Sequence, residues 1–136
     1  MHESQRRGAA CEYIAAAEFS KRGWTIFWTP TGSSAADFLI DKKGTTLKVQ
    51  VKSASWSEQG GSKYLRAGVK ARRKYTKDDY DLLVVVDPDE RIWSIPFEEV
   101  PKTSSIYLEK NQGEIITGYG YEKWIIPNLS SLPPGS

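Results

Sequence analysis

The segment Leu82–Val86 constrains the fold more than any other part of the chain. It is an unbroken row of leucines and valines with polar residues on both sides. A run this short has the length of a strand, and an uninterrupted apolar sequence indicates a strand that is buried on both faces. The chain must therefore supply a layer of structure on each side of a sheet, which predicts an α/β sandwich around a mixed sheet.

A helix and several strands are predicted around this central strand. Ser4–Arg22 predicts a helix, because it is rich in alanine and ends on Lys21-Arg22-Gly23, a basic last turn followed by glycine. Aromatic, β-branched and alternating segments predict the strands Trp24–Thr29, Ala36–Ile40, Thr45–Lys52 and Arg91–Ile95. Asp41–Gly44 is typical of a hairpin turn.

The other segments give weaker patterns. Ser53–Ser62 is polar and contains glycine, so we predict a loop, and in Lys63–Lys77 we favour a short strand or loop followed by a helix near Lys70–Tyr75. Pro96–Val100 resembles a short stop element, and Trp124–Pro127 is a late apolar segment. We predict a single domain over residues 1–129 and a disordered tail at 130–136.

Composition narrows the class of protein. The chain has 136 residues, of which 39% are hydrophobic and 12% aromatic, which excludes a disordered tail and fits one globular core. It carries neither an apolar run long enough to cross a bilayer nor the apolar core of a signal peptide, so we expect a cytoplasmic protein without membrane contact. Cys11 is the only cysteine, which excludes an internal disulfide.

Positive charge is concentrated in one stretch. The net charge is only +2, from 19 basic and 17 acidic residues, yet no acid lies between Glu58 and Asp78. A solvated surface loop explains such a run equally well, but a phosphate-backbone binder needs the same pattern. The candidate DNA-binding residues are Lys63, Arg66, Lys70, Arg72, Arg73 and Lys74.

Three polar residues are brought together by the predicted hairpin. Asp37 opens one strand after a Ser/Gly loop, and Gln50 and Lys52 lie two residues apart on the next, so the latter two share a face. If Asp41–Gly44 closes the hairpin, Asp37 and Lys52 are cross-strand neighbours with Gln50 beside them. On pattern alone, Gln50 and Lys52 also fit the solvent face of a strand, and Asp37 also fits a turn cap.

Phosphodiester hydrolysis uses such a set of groups. Oxygen ligands hold a divalent cation that neutralises phosphate charge, and a lysine stabilises the developing negative charge. A glutamine carbonyl can still ligate magnesium, although more weakly than a carboxylate. Zinc is disfavoured because His2 and Cys11 are the only soft ligands, so any metal is expected to be Mg²⁺, with Mn²⁺ as the alternative.

The pattern Ala36-Asp37…Gln50-Val51-Lys52, after a helix bearing Glu12, resembles the PD-(D/E)XK nuclease superfamily. It is most similar to archaeal Holliday-junction resolvases and to a small intron-encoded homing endonuclease of cyanobacterial type. The resemblance implies a restriction-endonuclease-like α/β core, a mixed sheet flanked by helices. It also implies a catalytic cluster of Glu12, Asp37, Gln50 and Lys52, in which the first three hold the metal.

The chain departs from the superfamily pattern at two positions. Ala36 stands where the motif has proline, and Gln50 stands where it usually has an acid. Glutamine at this position favours the homing-endonuclease branch, but it also fits a degenerate member whose site is inactive.

We therefore weigh three functions. The first is a metal-dependent endonuclease of double-stranded DNA, of homing or phage type, acting as a homo-oligomer (dimer or tetramer) because one chain supplies one cluster. The second is a Holliday-junction resolvase, and the third is a non-catalytic DNA-binding domain on a nuclease fold. Trp56, Tyr64 and Tyr75 are equally candidates for DNA contact and for core packing, whereas Asp81 and Asp87 are expected to be structural.

Overall fold

The computed structural model describes residues 3–30, 35–69, 75–111, 114–115 and 121–126. Its elements begin with one α-helix, α1 (Glu3–Lys21), and continue as strands, with 3-10 turns at Phe97–Glu99 and Tyr121–Trp124. The strands are β1 (Thr25–Trp28), β2 (Phe38–Lys42), β3 (Thr45–Ser53), β4 (Ser55–Gln59), β5 (Ser62–Gly68), β6 (Leu82–Val86), β7 (Ile92–Pro96), β8 (Ser105–Lys110) and β9 (Glu114–Ile115).

The first sheet has the order β1-β2-β3-β6-β7, and β6 is buried inside it, as its apolar sequence predicts. Only β3 and β6 run parallel, so the sheet is mixed. Successive side chains of a strand point to opposite faces. Accordingly, Val84 and Val86 pack in one core cluster, while Leu83 and Val85 pack in another.

Helix α1 covers one face of this sheet. Its small and apolar residues Ala15, Ala16 and Phe19 are buried against Phe38 and Val49 of the neighbouring strands. The predicted helix is confirmed to within one residue at each end. This packing fixes the helix relative to β2 and β3, which carry the candidate site.

A second sheet, β4-β5-β8-β9, covers the opposite side of β6 and β7. Leu65 of β5 and Ile106 of β8 share a core with Leu83, Trp93 and Ile95 of the first sheet. This core and the one beneath α1 meet across β6, so the central strand joins the two layers.

The prediction of a loop over Ser53–Ser62 is wrong. β3 continues to Ser53, a single residue separates it from β4, and β4 pairs with β5 around Gly60-Gly61. Both glycines have positive φ, 58° and 83°, the conformation that a tight two-residue hairpin turn requires. The polar residues of β4 are strand residues because they pair with β5 and because Trp56 packs against the core.

Two other predictions fall largely outside the described residues. Residues 70–74 of the expected second helix and the expected tail at 130–136 both lie there, and Tyr75 itself has irregular backbone. Within the described ranges, the first sheet is thus flanked by one α-helix and by the second sheet. No helix in these ranges is long and apolar enough to cross a membrane.

Candidate active site

Asp37 is held by its backbone at the entrance to β2. Its N–H donates to the carbonyl of Val49 (2.8 Å), and its own carbonyl accepts a hydrogen bond from the Thr29 hydroxyl (3.0 Å). The same hydroxyl also donates to the carbonyl of Ala36 (2.7 Å). These contacts tie the segment before β2 to both of its neighbours and fix the point from which the carboxylate extends.

The Asp37 carboxylate lies against the middle of the Gln50-Val51-Lys52 segment. Its Oδ2 accepts a hydrogen bond from the backbone N–H of Val51 at 2.7 Å. The pairing of β2 with β3 begins at Phe38 and Val49, and Asp37 lies one residue before it. The hairpin turn comprises only Lys43 and Gly44, and the Asp37 carboxylate is hydrogen-bonded to the residue before Lys52.

Lys52 nevertheless acts electrostatically on Asp37. Burial raises the pKa of the Asp37 carboxyl, while the Val51 hydrogen bond and the Lys52 charge partly offset that rise. The cost of desolvating the charged carboxylate thus outweighs its favourable contacts. A further positive charge beside it would therefore stabilise the ionised form.

Glu12 approaches the same carboxylate from the helix. It lies on the face of α1 that buries Ala15, Ala16 and Phe19, and it is itself half-buried. Burial raises the pKa of Glu12, and the charge of Asp37 raises it further. Two partly desolvated acids within electrostatic reach of each other form an environment that favours a bound cation.

The Gln50 side chain is 6% exposed, and the hydrogen bonds of its amide nitrogen fix its orientation. Nε2 donates to the carbonyl of Ala35 at 3.2 Å and makes a longer contact, 3.5 Å, with the Tyr75 hydroxyl. A backbone carbonyl can only accept, so the NH₂ group must face Ala35. Both of these contacts use the nitrogen, which leaves the carbonyl oxygen as the atom that can ligate a metal.

Ala35 and Tyr75 were not predicted as partners of Gln50. Tyr75 was a candidate for DNA contact or core packing, and its ring also packs edge-on against Tyr80, with centroids 5.5 Å apart. No sequence pattern connects a tyrosine to a glutamine 25 residues earlier, because the contact depends on how the segment before β6 returns to the sheet.

The donor set fits a hard divalent cation. Two carboxylates and one amide carbonyl are oxygen ligands of the kind that Mg²⁺ and Mn²⁺ prefer. Among the described residues, no group of three or more His, Cys, Asp or Glu side chains is arranged to hold a metal, and the amide carbonyl of Gln50 is the third oxygen ligand that the resemblance implies. The candidate metal ligands are therefore Glu12, Asp37 and Gln50, as the resemblance implies.

Two of the six predicted DNA-binding residues, Lys63 and Arg66, lie in β5, and the other four lie outside the described residues. Lys63 is exposed and pairs in register with Glu58. Arg66 donates from Nη2 to the Ser105 hydroxyl at 2.7 Å. Both belong to the second sheet, where Arg66 pairs in register with Ser55, three residues after Lys52.

Asp81 and Asp87 make the structural contacts expected of them. Asp81 accepts a hydrogen bond from the backbone N–H of Lys48 (2.8 Å), which joins the start of β6 to β3. Asp87 accepts from the backbone N–H groups of Asp89 (3.0 Å) and Arg91 (2.7 Å) in the β6–β7 turn.

The mixed sheet, the packed helix and the Asp…Gln-x-Lys pair of strands define the restriction-endonuclease-like class of α/β folds. Within it, the chain belongs to the PD-(D/E)XK endonuclease family, whose model matches residues 2–117. The fold class and the family implied by the sequence are both confirmed.

Two known proteins are similar over most of the chain. Protein 5.3 of Escherichia phage T7 is 35% identical over 116 residues, which cover 83% of this chain and 98% of the phage protein. The solved structure of the bacterial homing endonuclease I-Ssp6803I superposes with a TM-score of 0.73 at 25% identity, covering 91% of this chain and 90% of that one.

Proposed function

We propose that this protein is a metal-dependent endonuclease that hydrolyses phosphodiester bonds of double-stranded DNA. The observation that carries the proposal is the electrostatic coupling of Asp37 to both Glu12 and Lys52, at the point where Asp37 contacts the Gln50-Val51-Lys52 segment. Oxygen ligands and a lysine at one sheet end are what hydrolysis of a phosphodiester requires.

Each residue of the cluster has a distinct role in this proposal. Asp37, Glu12 and the Gln50 carbonyl would hold Mg²⁺ or Mn²⁺, which when bound neutralises phosphate charge and lowers the pKa of a water ligand. The Lys52 ammonium cannot ligate a cation. It orients the attacking water and stabilises the negative charge that develops on the phosphate.

The comparisons support a DNA substrate and a homing or phage type of enzyme. A relative that is a phage protein and a structural neighbour that is a homing endonuclease both favour that reading over junction resolution. One chain carries one cluster and can cut one strand at a time, so we propose that cleavage of both strands requires a homo-oligomer. We also propose that the enzyme acts in the cytoplasm, which would be that of a host cell if the protein is phage-encoded.

Purified protein incubated with supercoiled plasmid, linear duplex and four-way junction DNA tests the proposal. With Mg²⁺ or Mn²⁺ we expect nicked and linear products from the duplex substrates, and none in chelator. Asp37→Asn is the matched inactive control, because asparagine can still accept the Val51 hydrogen bond. Preferential cutting of junctions would indicate a resolvase instead. Failure to cut any DNA form with either metal would overturn the proposal in favour of a binding module.

A further inference from the structure

Tyr75 places its hydroxyl beside the neutral ligand of the candidate metal site. The hydroxyl oxygen lies 3.5 Å from Gln50 Nε2, and the carbonyl oxygen of Ala35 lies 3.2 Å from the same nitrogen. A glutamine NH₂ group has two N–H donors, and a hydroxyl and a backbone carbonyl can each accept from one of them. The two acceptors around this nitrogen therefore match its two donors in number.

The orientation of the Gln50 amide matters because its two ends differ in chemistry. The terminal torsion χ3 of a glutamine is broad and roughly two-fold, so the side chain itself sets no strong preference between the two orientations. A half-turn about χ3 exchanges the carbonyl oxygen with an NH₂ group, which cannot ligate a cation. The Ala35 carbonyl fixes one N–H, and an acceptor for the other N–H restricts the rotation that remains.

The Tyr75 ring rests on the core that the two sheets share. It packs edge-on against Tyr80 with centroids 5.5 Å apart, and the Tyr80 ring packs in the same manner against Phe97 at 5.2 Å. Tyr80 is 2% exposed and belongs to that core, against which Tyr75 is itself partly buried. The hydroxyl is thus carried by a ring whose position is fixed by packing.

The turn that follows Tyr75 is tied both to itself and to β3. The Asp79 carboxylate accepts a hydrogen bond from the Thr76 N–H at 2.7 Å, and the Asp79 N–H donates to the Thr76 carbonyl at 2.9 Å. Asp81 exchanges two hydrogen bonds with the backbone of Lys48 in β3. Its N–H donates to the Lys48 carbonyl at 2.9 Å, and its carboxylate accepts from the Lys48 N–H at 2.8 Å. These bonds fix the path of the chain from Tyr75 back to the strand that carries the candidate ligand.

We propose that Tyr75 is a positioning residue, whose hydroxyl accepts the second N–H of Gln50 and so keeps the amide carbonyl oxygen turned toward the candidate metal site. This inference rests on the proposed endonuclease function and on Gln50 as a ligand. A carboxylate in place of the amide has two equivalent oxygens, so a half-turn about χ3 would change nothing. A site built with glutamine therefore requires an orienting partner that a site built with an acid does not.

Calorimetric titration with Mg²⁺ in the absence of DNA tests the proposal in wild type, Tyr75→Phe, Gln50→Glu and the double variant that combines the two substitutions. Phenylalanine keeps the ring against Tyr80 and removes only the hydroxyl, and thermal unfolding verifies that each protein is folded. Tyr107→Phe is the matched control. The Tyr107 hydroxyl likewise lies beside a glutamine nitrogen, 3.4 Å from Gln59 Nε2, but in the second sheet. Plasmid cleavage is measured across Mg²⁺ concentrations for the same proteins.

We expect Tyr75→Phe to weaken Mg²⁺ binding by about 2- to 12-fold, the range of one neutral hydrogen bond. The Mg²⁺ concentration that gives half-maximal cleavage should rise by the same factor, whereas the cleavage rate at saturating Mg²⁺ should stay nearly unchanged. In the Gln50→Glu background, Tyr75→Phe should leave Mg²⁺ affinity unchanged, because either carboxylate oxygen can serve. Tyr107→Phe should leave it unchanged in the wild-type background.

Unchanged Mg²⁺ affinity in Tyr75→Phe would overturn the inference. Equal losses of affinity in the wild-type and Gln50→Glu backgrounds would also overturn it, because they would show a structural effect that does not depend on the amide. In both cases wild type still binds Mg²⁺ and cleaves DNA, so the proposed function stands. A wild type that neither binds Mg²⁺ nor cleaves DNA would remove both.

Discussion

Asp37 makes a structural hydrogen bond with the Val51 N–H and is also a candidate metal ligand. The pH dependence of stability reports how burial affects its charged form. Burial raises the pKa of both Asp37 and Glu12 above their ordinary values of 3.8 and 4.5. As pH rises between the ordinary and the raised values, the unfolded chain loses these protons first. The free energy of unfolding contributed by the two groups therefore falls with rising pH.

We predict that Asp37→Asn is more stable than wild type at pH 7 in chelator, and that this advantage disappears as pH is lowered through the raised pKa. Asparagine keeps an acceptor for the Val51 N–H and removes a desolvated charge. Melting temperatures of both proteins across pH, with and without Mg²⁺, measure the difference, and Mg²⁺ should restore wild type selectively. A less stable variant at pH 7 would show that the charged hydrogen bond to Val51 outweighs the cost of burial.

Lys52 can be tested against a lysine on the same face of the same strand. We predict that Lys52→Ala lowers cleavage by about 100-fold or more, the scale of losing one transition-state charge stabiliser, while metal binding by calorimetry is retained. Lys48→Ala is the matched control. Lys48 lies four residues earlier, about 13 Å along β3, and its ammonium donates to the carbonyl of Asp78. Equal losses of cleavage activity in the two variants would show that Lys52 acts only through its general positive charge.

Gln50 is adapted to its surroundings as an amide. In Gln50→Glu an ionised carboxylate cannot donate to the Ala35 carbonyl, so in chelator we predict a loss of about 1–3 kcal/mol in the free energy of unfolding. Magnesium binding should become tighter, because the site gains a negative charge beside the cation. Chemical denaturation and calorimetry measure these effects, with Gln59→Glu as the control at an exposed glutamine. Restoration of cutting in an otherwise inert protein would instead identify Gln50 as a disabling substitution.

At the scale of elements, the first sheet and α1 were predictable because their patterns are local. The alternation of Thr45–Lys52 and the apolar run Leu82–Val86 each specify a strand without reference to the rest of the chain. The β4–β5 hairpin was missed because its strands are polar, although Gly60-Gly61 between two short segments is itself a hairpin signal. The weak strand preference of the β4 residues was outweighed by their pairing with β5, which itself pairs with β8.

The candidate site was likewise predictable only in those features that depend on local sequence. The spacing of Gln50 and Lys52, and their proximity to Asp37, follow from strand periodicity and one turn. The orientation of the Gln50 amide could not be predicted, because it depends on Ala35 and Tyr75, which reach it from other segments. The coupling of Glu12 to Asp37 depends equally on how α1 packs across the sheet.

One ion-paired cluster connects the two sheets. Arg91 donates from Nε to the buried carboxylate of Asp87 (2.7 Å) and from Nη1 to Glu109 of β8 (2.5 Å). We predict that Arg91→Ala lowers the free energy of unfolding by about 1–3 kcal/mol, because it removes a partner of a buried acceptor. Lys77→Ala, which breaks an exposed pair with Glu98, should leave stability nearly unchanged. Denaturant midpoints compare the two, and equal effects would show that the cluster adds nothing beyond a surface pair.

For the molecule as a whole, the decisive quantity is the number of candidate sites in each chain. Within the described residues the chain has one cluster with a lysine beside two coupled acids, and the two strands of a duplex run in opposite directions. A chain that acts alone must therefore rebind in the opposite orientation before it cuts the second strand. Two copies related by a twofold axis present one cluster to each strand.

A subunit-mixing experiment decides between these modes. Wild type is refolded with a large excess of Asp37→Asn, which keeps the fold and lacks the ligand charge. If two copies act together, most active assemblies contain one competent site, and we predict that nicked circles replace linear product from supercoiled plasmid at low extents of reaction. The ratio of nicked to linear DNA should rise with the excess of the variant, because each mixed assembly cuts only one strand. If each chain works alone, the variant merely dilutes the enzyme, and the ratio at matched extents of reaction stays that of wild type. Unmixed proteins combined without refolding provide the control for subunit exchange.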